Sequence, residues 1–321
     1  MKERQLTTQH AAVVEAAIAS GHAAKSAVVA SWCRSSRFHQ LDPSGTRPPL
    51  RLTEAELERA REKAAPLLQA ARPIVDRLYQ AVGAAGCCVL LAAQDGVPVD
   101  RRGSVADDAT FESWGLWTGA VWSEEHEGTN GIGTCLVEKR PLTIDRDQHF
   151  FSRNTLLSCT AAPIYDEHAK LAGVLDVSSC RADRTGAFAD LITLAVGEAA
   201  RRIEADLFRT AFPKARMVLV PAQDGHGGGL LAVDADDLVV GATRSARMSL
   251  GLAPDRAFQP IPAIDLLGGP GAALDQLDDV ERGVLQRALL RANGNVSAAA
   301  KALGVSRATL HRKLKRFELK H

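Results

Sequence analysis

The chain has 321 residues, 46% apolar and 24% charged, with a formal net charge of +1. That is an ordinary globular composition, with enough length for two or three cored domains. No uninterrupted run of roughly eighteen apolar residues occurs, and the first residues lack an apolar signal core and a cleavage site. No membrane span is therefore expected, and the cytoplasm is the default location.

The near-neutral total hides a split. From Asp278 onward there are ten Lys/Arg against four Asp/Glu, leaving 29 against 34 in the rest. A basic tail on a mildly acidic body predicts an anionic partner for the tail.

Taken in chain order, residues 8–40 read as helical, with Trp32 near the end of an apolar stripe, until LDPSGTRPP (41–49) interrupts. Thr53-Glu54-Ala55-Glu56 has the form of a capping box. The helix it opens runs toward Tyr79, bent at Pro66 and Pro73. These elements make an N-terminal helical region, 1–82.

The texture changes at Gly86. CCVLLAAQDGVPVDR reads as strand, turn at Asp95-Gly96, strand; RPLTI (140–144) as a third strand; and 159–179 as a hairpin turning at DEHAK. Between the second and third strands lies a helical and loop segment with Trp114, Trp117, Trp122 and the string GTNGIGT. A long amphipathic helix follows, carrying Phe188, Leu191, Ile192, Ala195, Ala199, Ile203 and Leu207 at helical spacing. Residues 83–210 thus describe an α+β sensor domain. A small antiparallel sheet module at 211–256 includes a Gly-rich turn at 225–229, and a Pro/Gly-rich linker spans 257–277.

The last domain, 278–321, opens at a capping box, Asp278-Asp279-Val280-Glu281. Its first helix stops at Asn293-Gly294. Asn295 caps a second, alanine-rich helix, Gly304 permits a tight turn, and Ser306 caps a third helix, 307–317. Leu310, Leu314 and Phe317 share one face of that third helix. Arg307, Thr309, His311, Arg312, Lys313, Lys315 and Arg316 occupy the rest. This is the helix-turn-helix plan, an all-α three-helix unit for double-stranded DNA. Asn295 and Ser306 join those seven as DNA-site candidates. Arg307 is placed to read a guanine, and Thr309 with the later cations suits phosphates. A solvated amphipathic helix is the plain alternative.

The same stretch resembles the C-terminal domain of Fis-type nucleoid and enhancer-binding proteins. The shared residues are Gly294-Asn295, Ala298-Ala299, Leu303-Gly304-Val305, Arg307, Thr309-Leu310 and Lys313-Leu314. The resemblance implies binding as a homodimer. Farther upstream, HEGTNGIGTCLVEKRPLTI, DQHF, LSCTAAPIYDE and LAGVLDVSS look like the GAF domain of the acetoin-catabolism regulators (AcoR). The likeness is close from about Ser123 to Ser179, and looser at Ser31-Trp32 with Leu41-Asp42-Pro43. Residues 230–252 resemble that family's PAS-like segment. Three positions depart from its pattern: Asp147-Gln148 before His149, Ala169 where a turn glycine is common, and Cys135. Such activators carry an ATPase with a P-loop, GxxxxGK[ST], and no such string occurs here. Thr185-Gly186-Ala187-Phe188 superficially matches the ATPase's polymerase-contacting loop, but it opens a helix in the wrong place. The fold class that results is multidomain α+β: a GAF sensor with flanking helices, a PAS-like sheet module and a Fis-type helix-turn-helix.

A GAF domain holds small ligands between its sheet and the covering loops. The candidates are Trp114, Trp117 and Trp122 as walls, with Asn130, Thr134, His149, Ser158 and Cys159 as polar contacts. Each has a structural alternative: tryptophans as core, Asn130 satisfying turn amides, Asp176 bonding locally. Glycines 128, 131 and 133 are weak evidence for a phosphate loop. His149 lacks a second convergent ligand for haem or metal, so no cofactor is expected. The six cysteines show no CxxC and no zinc spacing; reduced, buried thiols are expected, with redox sensing as the alternative. Cys87 and Cys88 should face opposite sides of a strand.

The function this predicts is a dimeric transcriptional regulator of a catabolic operon. It would bind a palindromic operator with half-sites about one helical turn apart. The resemblance adds a small alcohol, ketone or diol as effector and leaves RNA polymerase as a further partner, without ATP hydrolysis. Alternatives are a co-regulator working through a full-length relative, or a thiol sensor. No Ser/His/Asp spacing, paired carboxylates or metal motif supports an enzyme.

Overall fold

The computed structural model describes residues 2–21, 23, 25–180, 186–221, 228–267 and 277–319. It divides into two units, residues 1–260 and 261–321. Among the described residues no helix is long and apolar enough to cross a membrane.

The first unit begins with α1 (Lys2–Ala19) and α2 (Ala27–Cys33), the latter continuing as a π-helical turn, Arg34–Phe38. The helical pattern expected over 8–40 is broken in two because Gly21 is left-handed, at φ +72°. Ser26 then caps α2 by accepting from the Val29 N–H. Thr53 and Glu56 do form the capping box of α3 (Glu54–Lys63). The single bent helix expected from there to Tyr79 is instead two helices. Ala64 ends α3, and α4 (Ala65–Val82) starts with Pro66 in its first turn, where a missing N–H costs nothing. Pro73 stays inside α4.

A five-stranded antiparallel sheet follows, with strands in the order β2-β1-β5-β4-β3. They are β1 (Cys87–Ala93), β2 (Pro98–Arg102), β3 (Leu142–Asp145), β4 (Ser158–Tyr165) and β5 (Leu171–Ser179). Strand β1 is buried along its whole length, as a strand covered on both faces should be. One face carries Cys87, Val89, Leu91, Leu175, Val177, Ala162 and Ile164. Helix α4 covers it with Leu67, Ala71, Val75 and Leu78, and α8 (Gly186–Ala211) with Ile192, Val196, Ile203 and Leu207. Each such fully buried aliphatic side chain contributes about 1.5–3 kcal/mol. Leu191 and Leu194 lie on the exposed side of α8.

The opposite face carries Cys88, Leu90, Val174, Cys159, Ala161, Leu142 and Ile144. It is roofed by α5 (Asp108–Ser113), the segment holding Leu116 and Trp122, and α7 (Gly131–Glu138), with α6 (Glu124–Glu127) packed against α7. Cys87 and Cys88 therefore do face opposite sides. All six cysteines are unbridged. Ala169, in the β4–β5 turn, takes a left-handed φ of +64° with its methyl buried. The chain then forms a smaller antiparallel meander, β6 (Arg216–Val220), β7 (Gly229–Val233) and β8 (Leu238–Ala242), followed by α9 (Arg244–Ser249).

The second unit contains β9 (Ile261–Pro262), α10 (Ala263–Leu267), α11 (Leu277–Arg291), α12 (Val296–Ala302) and α13 (Arg307–Arg316). Leu285, Leu289, Val296, Ala299, Ala300, Leu310 and Leu314 make its core. Parts of three expectations lie outside the described residues: positions 225–227 of the Gly-rich turn, 268–276 of the linker, and Thr185. The side chains of the capping box at 278–280 lie outside them as well.

The glycines of GTNGIGT are explained by close packing. A Cβ on Gly131 would sit 2.6 Å from the Cys159 Cβ, and one on Gly133 2.6 Å from both the Glu124 nitrogen and the Trp122 carbonyl oxygen. The obstruction at Gly133 is backbone, which cannot swing aside. Gly133→Ala is therefore expected to lower unfolding free energy by about 2 kcal/mol or more, as overpacking does. Urea denaturation checks this through the midpoint.

Candidate functional site

In the second unit the sequence places each side chain by local rules. Asn293 and Gly294 both take positive φ, +50° and +80°, and end α11. The Asn295 side chain accepts from the Ser297 and Ala298 N–H groups at 3.0 and 3.1 Å and so starts α12. Gly304 turns the chain at φ +66°, and the Ser306 Oγ accepts from the Thr309 N–H at 3.1 Å. Of the nine DNA-site candidates, Asn295 and Ser306 thus spend their side chains as caps. Thr309 shares a 2.8 Å hydroxyl contact with Ser306. Arg307, Arg312, Lys315 and Arg316 are exposed on α13, while His311 and Lys313 are half-buried. Lys313 is ion-paired with Glu281 of α11, and the Arg316 guanidinium is 3.8 Å from the same carboxylate. The buried stripe of α13 is Leu310 and Leu314. What remains outward is a row of cations beginning at a capped helix N-terminus, the geometry that meets a DNA groove.

In the first unit a polar network ties the N-terminal helices to the sheet's roof. Ser31 donates to the buried Glu124 carboxylate and lies 2.7 Å from the Thr129 hydroxyl. Arg34 donates to both oxygens of Glu124, at 2.8 and 3.0 Å, and to Glu138 at 2.9 Å. Thr134 donates to Glu124 at 3.1 Å, and the Trp32 indole donates to the Gln148 carbonyl at 2.8 Å. A second buried carboxylate, Glu127, receives Arg153 at 2.8 and 2.7 Å. Burial raises its pKa, and Arg153 opposes that rise.

Of the eight ligand-site candidates, the structure brings Trp122, Asn130 and Thr134 together at the start of α7. Asn130 caps α7, accepting from Gly133 N–H at 2.8 Å and donating to the Trp122 and Gly128 carbonyls. Thr134 belongs to the Glu124 network. Trp122 is core, its indole N–H bound to the Gly115 carbonyl at 2.7 Å. His149 is buried beside Phe150, with Nδ1 3.0 Å from the Arg146 carbonyl and Nε2 without a hydrogen-bond partner among the described residues. Burial pushes its pKa down to about 4, so it is neutral. No metal-holding group of three His, Cys, Asp or Glu occurs among the described residues. Ser158 pairs with Ser179 at the level of Cys87, and so faces the α4/α8 side, away from Cys159. Trp114, Trp122 and Cys159 belong to the core of the roofed face, and Trp117 stacks against Arg101 there.

That face also holds Arg101, which local reading passed over, and Asp176. Arg101 of β2 has a side chain only 10% exposed. Its Nη1 is 2.8 Å from Asp108, and its guanidinium lies 4.1 Å from the Trp117 ring centre and 5.6 Å from that of Phe111. Asp176 of β5 is buried; its Oδ2 accepts from the Ser178 hydroxyl at 2.6 Å, the local bond expected. Its Oδ1 has no hydrogen-bond partner among the described residues. Burial lifts its pKa to about 7. Burial first, and then Asp176, push the thiols of Cys88, Cys135 and Cys159 well above the ordinary thiol range, so they stay protonated. No local signal marks Arg101: the register shift opposite Leu91 and Ala92 turns it to the roof, whereas Val99, two residues earlier, packs with Ala64 and Ala93.

Two family models match: one described as "MimR, N-terminal domain" over residues 7–204, the other as "Bacterial regulatory protein, Fis family" over residues 276–317. The acetoin catabolism regulatory protein of Cupriavidus necator is 32% identical over 68% of this chain and 34% of its own length. The propane 2-monooxygenase operon transcriptional activator MimR of Mycolicibacterium smegmatis is 30% identical over 72% and 38%. The chain thus spans about a third of the length of these relatives. A chain of the Escherichia coli DhaR(N)–DhaL complex shares the fold, with a TM-score of 0.51 at 16% identity over 83% of this chain and 86% of that one.

The raised Asp176 carboxyl makes a signed prediction. The folded form holds a proton that the unfolded form, with a pKa of 3.8, releases. Its contribution to stability is therefore full below pH 4 and is lost as pH rises toward 7, by on the order of 4 kcal/mol. His149 works in the opposite direction, losing stability as pH falls from 6.5 toward 4. Asp176→Asn isolates the first effect. Relative to wild type, its urea midpoint should rise steadily between pH 4 and 7 and stay level above about pH 8.

Proposed function

Because the chain belongs to the family defined by the MimR N-terminal domain and carries a Fis-type helix-turn-helix, we propose that it is a transcriptional regulator coupling an effector-binding sensor to an operator-binding unit. The observation that carries this reading is the capped helix α13. Its apolar stripe is spent on the unit's own core, and Arg307, Arg312 and Lys315 stay exposed on its outer side. The first unit serves as a GAF-type sensor with a PAS-like meander behind it, a reading supported by an antiparallel sheet roofed on one face by loops and short helices.

The regulator acts as a homodimer on a palindromic operator in front of a catabolic operon, in keeping with relatives named for such operons. Effector binding works by favouring one dimer geometry over another, since a ligand shifts an equilibrium only by its differential affinity. RNA polymerase is the partner through which activation would pass. No P-loop string occurs in these 321 residues. We propose that the chain itself regulates without hydrolysing ATP, and ATP turnover above background by the purified protein on its operator would overturn that part.

Operator selection from a random pool, followed by gel shifts, tests the whole reading. A selected palindrome bound specifically supports it, and weak sequence-independent binding sinks it. Two substitutions then assign roles on α13. Arg307→Ala should cost about 1–3 kcal/mol and relax preference at one base pair. Arg316→Ala should weaken every sequence alike and flatten the salt dependence by about one counterion. If both relax specificity at a base pair, α13 is rotated from the assigned docking.

A further inference from the structure

The sheet register places Arg101 and Asp176 in one row. Arg101 pairs with Leu90, Leu90 with Asp176, Asp176 with Ala161, and Ala161 with Leu142. Directly paired residues point to the same side of a sheet, so all five face the roof. The next row contains Cys88, Ser178, Cys159 and Ile144. With neighbouring strands about 4.8 Å apart, the Arg101 and Asp176 backbones stand roughly 10 Å apart on either side of Leu90. A cation and a carboxyl therefore border one apolar strip, and the Cys88 thiol lies within the electrostatic reach of both.

The state of the guanidinium is the second observation. Asp108 Oδ1 is ion-paired with Nη1 at 2.8 Å, while Nε and Nη2 are both buried and have no hydrogen-bond partner among the described residues. Those two nitrogens form one edge of the planar fork, the edge that grips a carboxylate through two parallel hydrogen bonds. Stacking on Trp117 fixes the plane of that edge. Buried donors left unpaired cost about 1–3 kcal/mol each, a cost that an incoming acceptor removes. Asp176 Oδ1, also buried and without a hydrogen-bond partner among the described residues, gives the strip a second polar end beside Gly131 at the start of α7.

We propose that the Nε–Nη2 edge of Arg101 is the anchor for the carboxylate of a small organic acid, whose hydroxyl or carbonyl group lies toward Asp176. This rests on the sensor reading above and replaces the alcohol, ketone or diol expected from the resemblance with a small carboxylate. Trp117 and Phe111 serve as the apolar wall. Arg101 is the residue that separates an acid from its reduced counterpart, because an alcohol offers the fork a single, uncharged acceptor.

Matched pairs test it on the full chain by titration calorimetry and thermal unfolding. The acids are lactate, pyruvate and acetate; their reduced counterparts are 1,2-propanediol, hydroxyacetone and ethanol. At least one acid should bind saturably and at least tenfold more tightly than its counterpart. Arg101→Lys, which keeps the charge and loses the fork, should erase most of that preference. Reduced counterparts that bind as well as the acids, or better, overturn the carboxylate anchor and leave the sensor reading intact. Silence from both series overturns the anchor and removes support from a small-molecule sensor. Inorganic phosphate binding more tightly than every acid also overturns it, in favour of a phosphoryl ligand. The wild-type acid-to-alcohol ratio decides the matter even if Arg101→Lys fails to fold.

Discussion

The buried carboxylate of Glu124 is the constraint around which the first unit is assembled. An isolated carboxylate in a protein interior costs many kcal/mol, and only a full set of donors makes its burial tolerable. Here the donors come from three places in the chain: Ser31 and Arg34 from α2 and its π-helical continuation, and Thr134 from α7. Arg34 also reaches Glu138 at the far end of α7. The N-terminal helices are therefore part of the sensor's structure. A boundary drawn at residue 82 separates sequence textures, but a chain begun there would leave Glu124 without its cation.

The roof of the sheet follows from the same bond set. Glu124 opens α6, and the backbone there lies so close to α7 that a single methyl at position 133 has no room. Asn130 fastens the start of α7 to the Trp122 and Gly128 carbonyls. One edge of the roof is thus fixed by hydrogen bonds that carry no sequence periodicity. Its other edge is α5 and Trp117, held by the Arg101–Asp108 pair and by stacking. The row of polar groups on the sheet lies beneath these two edges.

The C-terminal unit was the most legible part of the sequence. Its three helices are specified by neighbours in the chain: Asn293-Gly294 as a stop, Asn295 and Ser306 as caps, Leu310 and Leu314 as the inward stripe. The strands were legible for the same reason, from apolar runs bounded by the Asp95-Gly96 and DEHAK turns. The interior of the first unit was less so. Ser31 and Glu124 are 93 positions apart, and no local pattern announces that they meet. Arg101 reaches the roof through a register irregularity opposite Leu91 and Ala92 that no local pattern announces, and its importance depends on Trp117 and Asp108 arriving from another segment. Period two along β4 separates Ser158 from Cys159, a distinction lost when both are read simply as polar neighbours. The start of α4 turned on Pro66, which reads as a bend in a long helix but acts as the first turn of a new one.

The six unbridged cysteines have a use of another kind. Cys33 and Cys180 are half-buried, while Cys87, Cys88, Cys135 and Cys159 are inside, split between the two faces of one sheet. A thiol reagent in solution meets the first two in the native fold and reaches the other four only when a face opens. Labelling rates would therefore separate the lifting of α4 and α8, reported by Cys87, from the lifting of the roof, reported by Cys88, Cys135 and Cys159. The protein carries its own pair of clocks, one for each side of the sheet, with no label introduced by design.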